Sequence, residues 1–322
     1  MILLWGVSGD TVLMSVHQSL CQMKTPVLLL DQRDVMQTSV EVCVGSTVEG
    51  VLRVRGKTIK LDQFGAIYLR SYDSTRMPNV VHAGEGSDGW KHARRVDDIL
   101  MAWIELTSAL VVNLPGAMAA NNSKPYQAAW IRRLGFEIPE TLVTTDPDAV
   151  LEFWREHREL IYKSVSGTRS IVSRLTSLHR ERIEKVTSCP TQFQQYISGV
   201  DYRVHVVGED VFASRIISQA DDYRYASRQG MGVEVQPCEL PKEIADRCVS
   251  LAAAMTLPVA GVDLRCTADG RWYCFEVNPS PAFSYYQEKT GQPIAESIAR
   301  LLLASSSTLS KPVMHFQSRA AM

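Results

Sequence analysis

The sequence predicts a protein that combines an α/β part with an α+β part, and three observations lead to that prediction. The first third of the chain alternates short apolar runs with an amphipathic stretch, which is typical of a β-α-β unit and a parallel sheet. The last third is rich in strands and contains two alternating runs around a turn that ends in Asp-Gly, which is typical of a hairpin. The length of 322 residues exceeds one ordinary core, so about two or three domains are expected.

Local patterns place the secondary structure along the chain. Apolar runs bounded by turn residues predict strands, and apolar residues at helical spacing predict helices. The expected elements are a strand at 1–7, a helix at 11–23, strands at 27–30 and 65–69, a helix at 90–110, a helix ending at 134, a helix at 147–160, a hairpin over 161–175, and helices at 241–255 and 293–303. Asp146 is the expected N-cap of the helix that begins at Pro147.

Composition and charge exclude several classes of protein. Hydrophobic residues make up 45% and charged residues 21% of the chain, as in a soluble globular protein. A formal net charge of −1 argues against a dedicated nucleic-acid binder. No apolar run is close to the length of about 20 residues that a helix needs to span a bilayer. Seven cysteines without a CxxC pair indicate reduced thiols. We therefore expect a cytoplasmic protein with no nucleic-acid or membrane partner.

A polar cluster follows the strand at 65–69 and contains Arg70 and Asp73. In open α/β sheets ligands bind beyond the carboxyl ends of the strands. Arg70 and Asp73 are therefore candidate substrate contacts. A pair of solvated loop residues is an equally good interpretation of the same pattern.

The C-terminal hairpin consists of alternating strands over 259–266 and 271–279. If the four residues 267–270 form the turn, Asp263 lies opposite Cys274, on the face that also carries Glu276 and Asn278, because side-chain direction alternates. A two-residue loop would keep this arrangement, whereas a three-residue loop would break it. The apolar residues of the other face are expected to enter a core, and these are Val262, Leu264, Phe275 and Val277.

This arrangement predicts a divalent-cation site. Diagonal neighbours across a hairpin lie roughly 7–8 Å apart, close enough for Asp263 and Glu276 to reach a shared ion, with Asn278 as a third ligand. One or two carboxylates and an amide suit Mg²⁺, which completes its shell with water and phosphate oxygens. The alternative is that the carboxylates simply pair with Arg265 or Arg271.

Two segments of this hairpin, 261–264 (Gly-Val-Asp-Leu) and 275–279 (Phe-Glu-Val-Asn-Pro), resemble the metal-binding end of the ATP-grasp superfamily. More narrowly, they resemble the branch that holds ribosomal-protein glutamate ligases and the ligases that cyclise microviridin-type peptides. Further segments agree in order, so the resemblance covers about 115–303. It implies the ATP-grasp fold, in which a Rossmann-like N-terminal domain precedes a two-part nucleotide-binding module. The expected division is a substrate domain at 1–120, a lid at 121–193, a metal- and ATP-binding subdomain at 194–304 and a mobile tail at 305–322.

The resemblance also assigns residues to the nucleotide. Lys124 and Lys163 match the two nucleotide lysines, and Lys163 enters a phosphate loop at 164–170 that has a single glycine where many relatives have several. A hinge segment resembles the one whose backbone reads the adenine edge. The residues expected at ATP are Lys124, Lys163, Gln194, Gln195, Tyr196, Ile197 and Asp201. Arg203 and Arg215 are the expected catalytic arginines, because guanidinium groups clamp phosphates. For Arg203, which lies on a strand, a packing or ion-pair residue is an equally good interpretation.

The implied activity is an ATP-dependent carboxylate–amine ligase that forms an amide through an acyl phosphate and releases ADP and phosphate. The implied cofactors are ATP and a pair of Mg²⁺ ions, with Mn²⁺ as an alternative. The substrates would be a small-molecule or peptide carboxylate and an amine acceptor. Ser284 is a further candidate substrate contact, while core packing of the aromatic segment around it is the alternative. Open alternatives are side-chain ester or amide crosslinks in a ribosomal precursor peptide, a kinase-like enzyme that stops at the phosphorylated substrate, a non-enzymatic nucleotide-binding regulator, and a homodimeric assembly.

Overall fold

The computed structural model describes residues 1–119, 123–165, 172–218 and 232–306. The N-terminal elements are β1 (Ile2–Gly6), α1 (Thr11–Gln22), β2 (Val27–Asp31), β3 (Thr38–Val44), β4 (Val48–Val54), β5 (Lys57–Lys60), β6 (Ala66–Arg70), α2 (Pro78–Ala83), α3 (Asp88–Leu106), β7 (Leu110–Val112) and α4 (Pro115–Ala119). The elements that follow are α5 (Lys124–Arg133), β8 (Thr141–Thr144), α6 (Pro147–His157), β9 (Leu160–Ser164), β10 (Ser173–Arg174), β11 (Thr191–Gln195), β12 (Val200–Val207), β13 (Asp210–Ser218), β14 (Val233–Cys238), α7 (Lys242–Ala254), β15 (Val259–Cys266), β16 (Trp272–Asn278), α8 (Ser284–Thr290) and α9 (Ile294–Ser306).

The N-terminal strands form the parallel sheet that the β-α-β pattern predicts, in the order β2-β1-β6-β7. Asp10 begins α1 as its N-cap, since its carboxylate accepts hydrogen bonds from the N–H groups of Val12 and Leu13 at 2.9 and 3.0 Å. One face of the sheet packs on α1 and α9, where Leu4 and Ile298 are fully buried. The C-terminal helix therefore closes the N-terminal core.

A small antiparallel sheet, β3-β4-β5, was not predicted from the sequence. One face is buried through Leu52 and Val54, whereas Glu41 and Arg53 form an exposed ion pair of 2.7 Å. Strands covered on one side only carry a weaker apolar signal than the fully buried β1 and β6, which explains why the pattern was missed.

Two predicted helices end earlier than expected. The helix predicted at 90–110 ends at Leu106, and Leu110 instead begins β7 and pairs with Ala66. The apolar run of β7 continues the helical spacing, so periodicity alone could not separate the two elements. The helix predicted at 147–160 ends at His157, because Arg158 adopts φ 61°. Its expected cap is confirmed, since the Asp146 carboxylate accepts from the N–H of Asp148 at 2.9 Å.

The central sheet is antiparallel, in the order β10-β9-β11-β8. β9 and β10 pair through Tyr162 and Ser173, which confirms the hairpin predicted over 161–175. Residues 166–170 of the predicted phosphate loop lie outside the described residues. α6 and a 3₁₀ helix at Ser177–Ser188 cover one face of this sheet.

The C-terminal sheet has the order β14-β13-β12-β15-β16. One face packs against α7, where Val204, Val262, Cys248 and Leu251 are fully buried. The other face carries the polar residues of the predicted site. No helix within the described ranges is long and apolar enough to cross a membrane. Residues 307–322, which form most of the predicted tail, are not among those described.

The connection between β15 and β16 is one residue longer than expected. Cys266 pairs with Trp272, so residues 267–271 form the connection in place of the expected four. Thr267 closes this loop, because its N–H donates to the carbonyl of Arg271 at 3.0 Å. An odd number of loop residues reverses which residues of the two strands share a face.

A β-bulge in β16 compensates for that reversal. Leu264 pairs with Cys274 and Asp263 pairs with Glu276, which leaves Phe275 as the extra residue. The prediction that Asp263 lies opposite Cys274 is therefore wrong, and Cys274, at 1% exposure, lies in the core beside Leu264 while Phe275 stays outside it. Asp263 and Glu276 share a face as predicted, but through a longer loop and a bulge that cancel one another.

Candidate active site

A cleft of about 640 Å³ lies between the central sheet and the C-terminal sheet. Its walls come from α5, the segment entering β8, strands β9 and β11, and the outer strand β16. Four predicted ATP and metal residues line it, namely Lys124, Lys163, Gln194 and Glu276. The fold therefore brings residues from four separate elements into one cavity.

The lysines of the cleft lie on a helix and a strand, α5 and β9. Lys124 is the first residue of α5, which Ser123 caps. Lys163 Nζ lies 3.5 Å from Gln194 Oε1, and Gln194 Nε2 donates to Thr141 Oγ1 at 2.9 Å. Ammonium groups are compact donors to phosphate oxygens. The arrangement therefore suits a polyphosphate that enters between the two sheets.

The three predicted metal ligands lie on one face of the β15–β16 hairpin. Asp263 is directly opposite Glu276, and Asn278 is opposite Gly261. Directly paired residues have Cβ atoms about 4.5–5.5 Å apart, closer than the diagonal spacing that was expected. Within the described ranges no three His, Cys, Asp or Glu side chains form a metal-binding group. Two carboxylates and an amide nevertheless fit Mg²⁺, which takes its remaining ligands from water and phosphate.

Arg203 lies next to this face on β12 and is paired with Asp263. Its Nη1 is 2.7 Å from Asp263 Oδ1, and its side chain is 7% exposed. A Cβ at Gly261 would lie 2.8 Å from the Cβ of Pro281 and closer still to the Arg203 guanidinium, so the glycine makes room for the arginine. Burial, assisted by the charge of Arg203, holds the pKa of the neighbouring His205 well below its usual value. His205 is therefore neutral beside the ion pair.

Arg265 and Arg271 are the alternative partners that the sequence offers for the predicted metal carboxylates, but in the described structure both pair with other carboxylates. Arg265 pairs with Asp201 at 2.7 Å. Arg271 meets Asp269 at 2.9 Å and Glu137 at 3.8 Å. The alternative of an ion pair holds for Asp263, but its partner is Arg203, a residue that was expected at the phosphates.

Arg215 lies on the opposite face of the C-terminal sheet. It pairs with Tyr202, whereas Arg203 pairs with Ser214 and Asp263, and side chains alternate along each strand. Arg215 is exposed. The two arginines, which were expected together at the phosphates, therefore lie on opposite faces of the sheet.

Two residues of the predicted hinge make backbone hydrogen bonds to the segments on either side of β11. The N–H groups of Gln195 and Tyr196 donate to the carbonyls of Glu140 and Glu159, each at 2.9 Å. These two N–H groups are therefore engaged within the protein, and the expectation that the hinge backbone reads the adenine edge stays a prediction.

Asp201 is bound in a fork by Arg265, with Nε–Oδ1 and Nη2–Oδ2 distances of 2.7 and 2.9 Å. Arg265 Nη1 also donates to the Ile197 carbonyl at 2.7 Å. Asp201 and the Ile197 carbonyl are therefore held by Arg265, and their contact with ATP stays a prediction. Phe275, which follows Cys274 on β16, lines the cleft.

A network at the carboxyl edge of the N-terminal sheet contains Arg70, and we call the residues Asp10, Arg70, Tyr72 and Ser280 the joint. Arg70 Nε donates to Asp10 Oδ2 at 2.9 Å and Nη1 to Ser280 Oγ at 3.1 Å, while the Tyr72 hydroxyl donates to Asp10 at 3.1 Å. Burial acts to raise the pKa of Asp10, but the Leu13 N–H and the charge of Arg70 outweigh it and lower that pKa. The joint therefore ties the N-terminal sheet to the segment that follows β16.

The other two candidate substrate contacts have local partners. Asp73 is exposed and caps a 3₁₀ helix at Ser74–Arg76 by accepting from the Thr75 N–H at 2.9 Å. That is the solvated-loop interpretation of this residue. Ser284 Oγ lies 3.2 Å from Thr11 Oγ1, at the contact between α8 and α1. Neither lines the cleft.

Two buried amides near the metal face were missed from the sequence. Gln127 on α5 is 3% exposed and bonds both backbone groups of Val277. Asn113, also 3% exposed, donates to the carbonyls of Val259 and Pro279. A lone amide in a helix or at a strand end carries no motif. The only available signal was that an uncharged polar residue stands among apolar neighbours.

Comparisons with known proteins find relatives in sequence and in structure. Residues 124–302 match the RimK-like ATP-grasp domain. A probable α-L-glutamate ligase of Vibrio atlanticus (strain LGP32) is 26% identical over 204 residues, which cover 60% of this chain and 67% of that protein.

Solved structures extend the similarity to the N-terminal part. The ATP-grasp ligase PsnB, complexed with a minimal precursor, Mg and ADP, has 27% sequence identity and a TM-score of 0.79, with 95% of this chain and 97% of that chain covered. The macrocyclase MdnC of Microcystis aeruginosa MRC, bound with precursor peptide MdnA, has a TM-score of 0.77 at 23% identity and covers 94% of this chain and 99% of that chain. The second likeness shows the fold alone.

Proposed function

Since this chain belongs to the RimK-like ATP-grasp family, we propose that it is an ATP-dependent ligase that joins a carboxylate to an amine through an acyl phosphate, releasing ADP and phosphate. The observation that carries the proposal is the common cleft of Lys124, Lys163 and Glu276, with Asp263 directly across the ladder from Glu276. Such a site supplies cations for phosphate oxygens next to carboxylates for a divalent ion.

The proposed division of labour follows from position. Lys124 and Lys163 hold the phosphates of ATP, and Asp263, Glu276 and Asn278 hold Mg²⁺, which neutralises charge on the phosphates when bound. Arg203 can share its guanidinium between Asp263 and the transferred phosphoryl group, because it offers donors on several edges. Phosphoryl transfer needs positioning and charge neutralisation more than a protein nucleophile.

We further propose a peptide as the carboxylate substrate, bound by residues 1–120, with ATP between a lid at 121–193 and the subdomain at 194–304. PsnB, which was solved with a minimal precursor, Mg and ADP, supports both the peptide and the cofactors. Crosslinking of side chains within one precursor peptide is the second candidate for the same reason. Ester formation and amide formation differ only in the attacking group.

Phosphate release in the presence of candidate peptides and amines, combined with mass spectrometry of the products, tests the proposal. A ligase releases one phosphate for each bond formed, with loss of one water from the joined substrates. A product that gains a phosphoryl group and persists when amine is added would instead establish the kinase-like reaction.

The Glu276→Gln variant tests the metal assignment in the same assay. It preserves side-chain shape but removes a charge from the proposed ligand set, so turnover should fall steeply at all Mg²⁺ concentrations. Full turnover in this variant would overturn the assignment.

A further inference from the structure

We infer that Gln127 is a positioning residue. Its side-chain amide makes the two hydrogen bonds to the backbone of β16 that a neighbouring strand would make, and this clamp fixes the bulged register of β16. Its Nε2 donates to the Val277 carbonyl at 2.9 Å, and its Oε1 accepts from the Val277 N–H at 3.1 Å. Val277 stands between Glu276 and Asn278, so the clamp sits between two proposed metal ligands. The inference rests on the metal site proposed above.

The clamp matters because β16 is the edge strand of its sheet. Among the described residues no strand pairs with its outer backbone groups, and unpaired groups at a buried edge are costly. Glu137 satisfies the first of them: its N–H donates to the Trp272 carbonyl at 3.1 Å and its carbonyl accepts from the Cys274 N–H at 2.9 Å. Gln127 then satisfies those of Val277. The bulge residue Phe275 lies between these two anchors.

The bulge decides where Glu276 points. Continued without it, the ladder from Leu264–Cys274 would pair Glu276 with Val262, a residue of the α7 core. A shift of one residue moves a side chain to the opposite face of the sheet. By holding Val277 in its shifted position, Gln127 keeps the Glu276 carboxylate on the face of Asp263.

The same helix carries the first nucleotide lysine. Lys124 and Gln127 are three residues apart on α5 and therefore project from one face of the helix. Both line the cleft. Gln127 thus sets the distance between a proposed phosphate contact and the proposed metal strand, through one rigid helix.

The chain offers a matched control for this clamp. Gln32 is 2% exposed and makes the same pair of bonds to one backbone residue, donating to the Tyr72 carbonyl at 2.7 Å and accepting from its N–H at 2.8 Å. It lies in the N-terminal part and bonds Tyr72, not a residue of β16. Replacing either glutamine by methionine keeps the approximate side-chain volume and removes the backbone clamp.

The experiment measures ADP binding by calorimetry as Mg²⁺ is increased, for wild type, Gln127→Met, Gln32→Met and Glu276→Gln, with the melting temperature of each. Gln127→Met should weaken the apparent affinity for Mg²⁺ in the ADP complex by about 10–100-fold, as removal of outer-shell partners does. Its affinity for ADP without Mg²⁺ should fall far less, because the clamp holds the strand that carries the proposed metal ligands. Gln32→Met should lower the melting temperature and leave the Mg²⁺ dependence as in wild type.

Each failure has a different meaning. If Glu276→Gln keeps the Mg²⁺ dependence of wild type, the proposed metal site is wrong. If it loses that dependence but Gln127→Met retains it, or if both glutamine variants lose it equally, the positioning role is wrong while the metal site stands. Should Gln127→Met not fold, Gln127→Glu carries the test, since it keeps the acceptor for the Val277 N–H but removes the donor to the Val277 carbonyl. An unchanged Mg²⁺ dependence in that variant overturns the inference.

Discussion

The cleft and the joint both place cations near the end of β16, but in different surroundings. In the joint, Arg70 is 12% exposed and meets Asp10, itself 5% exposed, at 2.9 Å. In the cleft, Lys124 and Lys163 line open space large enough for a ligand. Removing one member of a buried ion pair leaves the other charge uncompensated and destabilises the fold, whereas charges around a cavity are available to a ligand. We therefore expect mutations in the joint to act on stability and mutations in the cleft to act on turnover.

The largest expected effect is on the stability of the joint. Arg70→Met removes the partner of a buried carboxylate, which typically costs about 3–5 kcal/mol of unfolding free energy. Arg53→Met is the control, since Arg53 pairs with Glu41 at 2.7 Å but both are exposed, and such pairs contribute about 0–1 kcal/mol. Urea denaturation compares the two. If both variants lose the same small amount of unfolding free energy, Arg70 does not stabilise the fold, and it is again a candidate substrate contact.

Lys163→Met tests the cleft. Removing a preorganised donor from a site of charge development typically lowers turnover by about 10²–10³-fold, and the unfolding free energy should change little because β9 keeps its ladder. Lys185→Met, at an exposed lysine of the 3₁₀ helix on the same sheet, should turn over as wild type. Phosphate release under saturating ATP measures both. A Lys163→Met variant with lower unfolding free energy but wild-type turnover would show that this lysine serves stability and not the nucleotide.

The joint should also be sensitive to acid. The pKa of Asp10 is lowered from 3.8 in the folded state, so the unfolded chain binds the proton more tightly. Its contribution to stability is present above the unfolded pKa of about 3.9 and is lost as pH falls through the folded pKa. The difference in unfolding free energy between wild type and Asp10→Asn should hold from pH 7 to about 5 and shrink below about 4. A difference that grows in acid would contradict the ion pair.

Much of the fold follows from patterns that are local in the sequence. The β1-α1-β2 unit, the Asp146 cap and the β9–β10 hairpin each depend on residues close together in the chain. The register of β16 could not be obtained in this way, because the longer connection at 267–271 and the bulge at Phe275 cancel. Alternation shows which residues of one strand share a face, but not how that strand aligns with its neighbour.

The face of Arg215 was, by contrast, available in the sequence. Val207 pairs with Asp210 across a two-residue turn that contains Gly208 at φ 57°. Counting back from such a turn pairs Arg203 with Ser214 and leaves Arg215 on the other side. The amide clamps had no comparable signal, since Gln127 and Val277 are brought together only by the packing of α5 on the sheet edge.

Arg215 therefore supplies the smallest expected effect. Arg215→Ala alters an exposed side chain on the face away from Asp263, so unfolding free energy should stay within about 0.5 kcal/mol of wild type and turnover should not change. Arg203→Ala, the matched change on the cleft-side face, leaves Asp263 without its 2.7 Å partner and should lower turnover. Phosphate release and denaturation on both variants make the comparison. Loss of activity in Arg215→Ala alone would mean that the nucleotide is approached from the opposite face of the C-terminal sheet, and that the cleft is not the site of phosphoryl transfer.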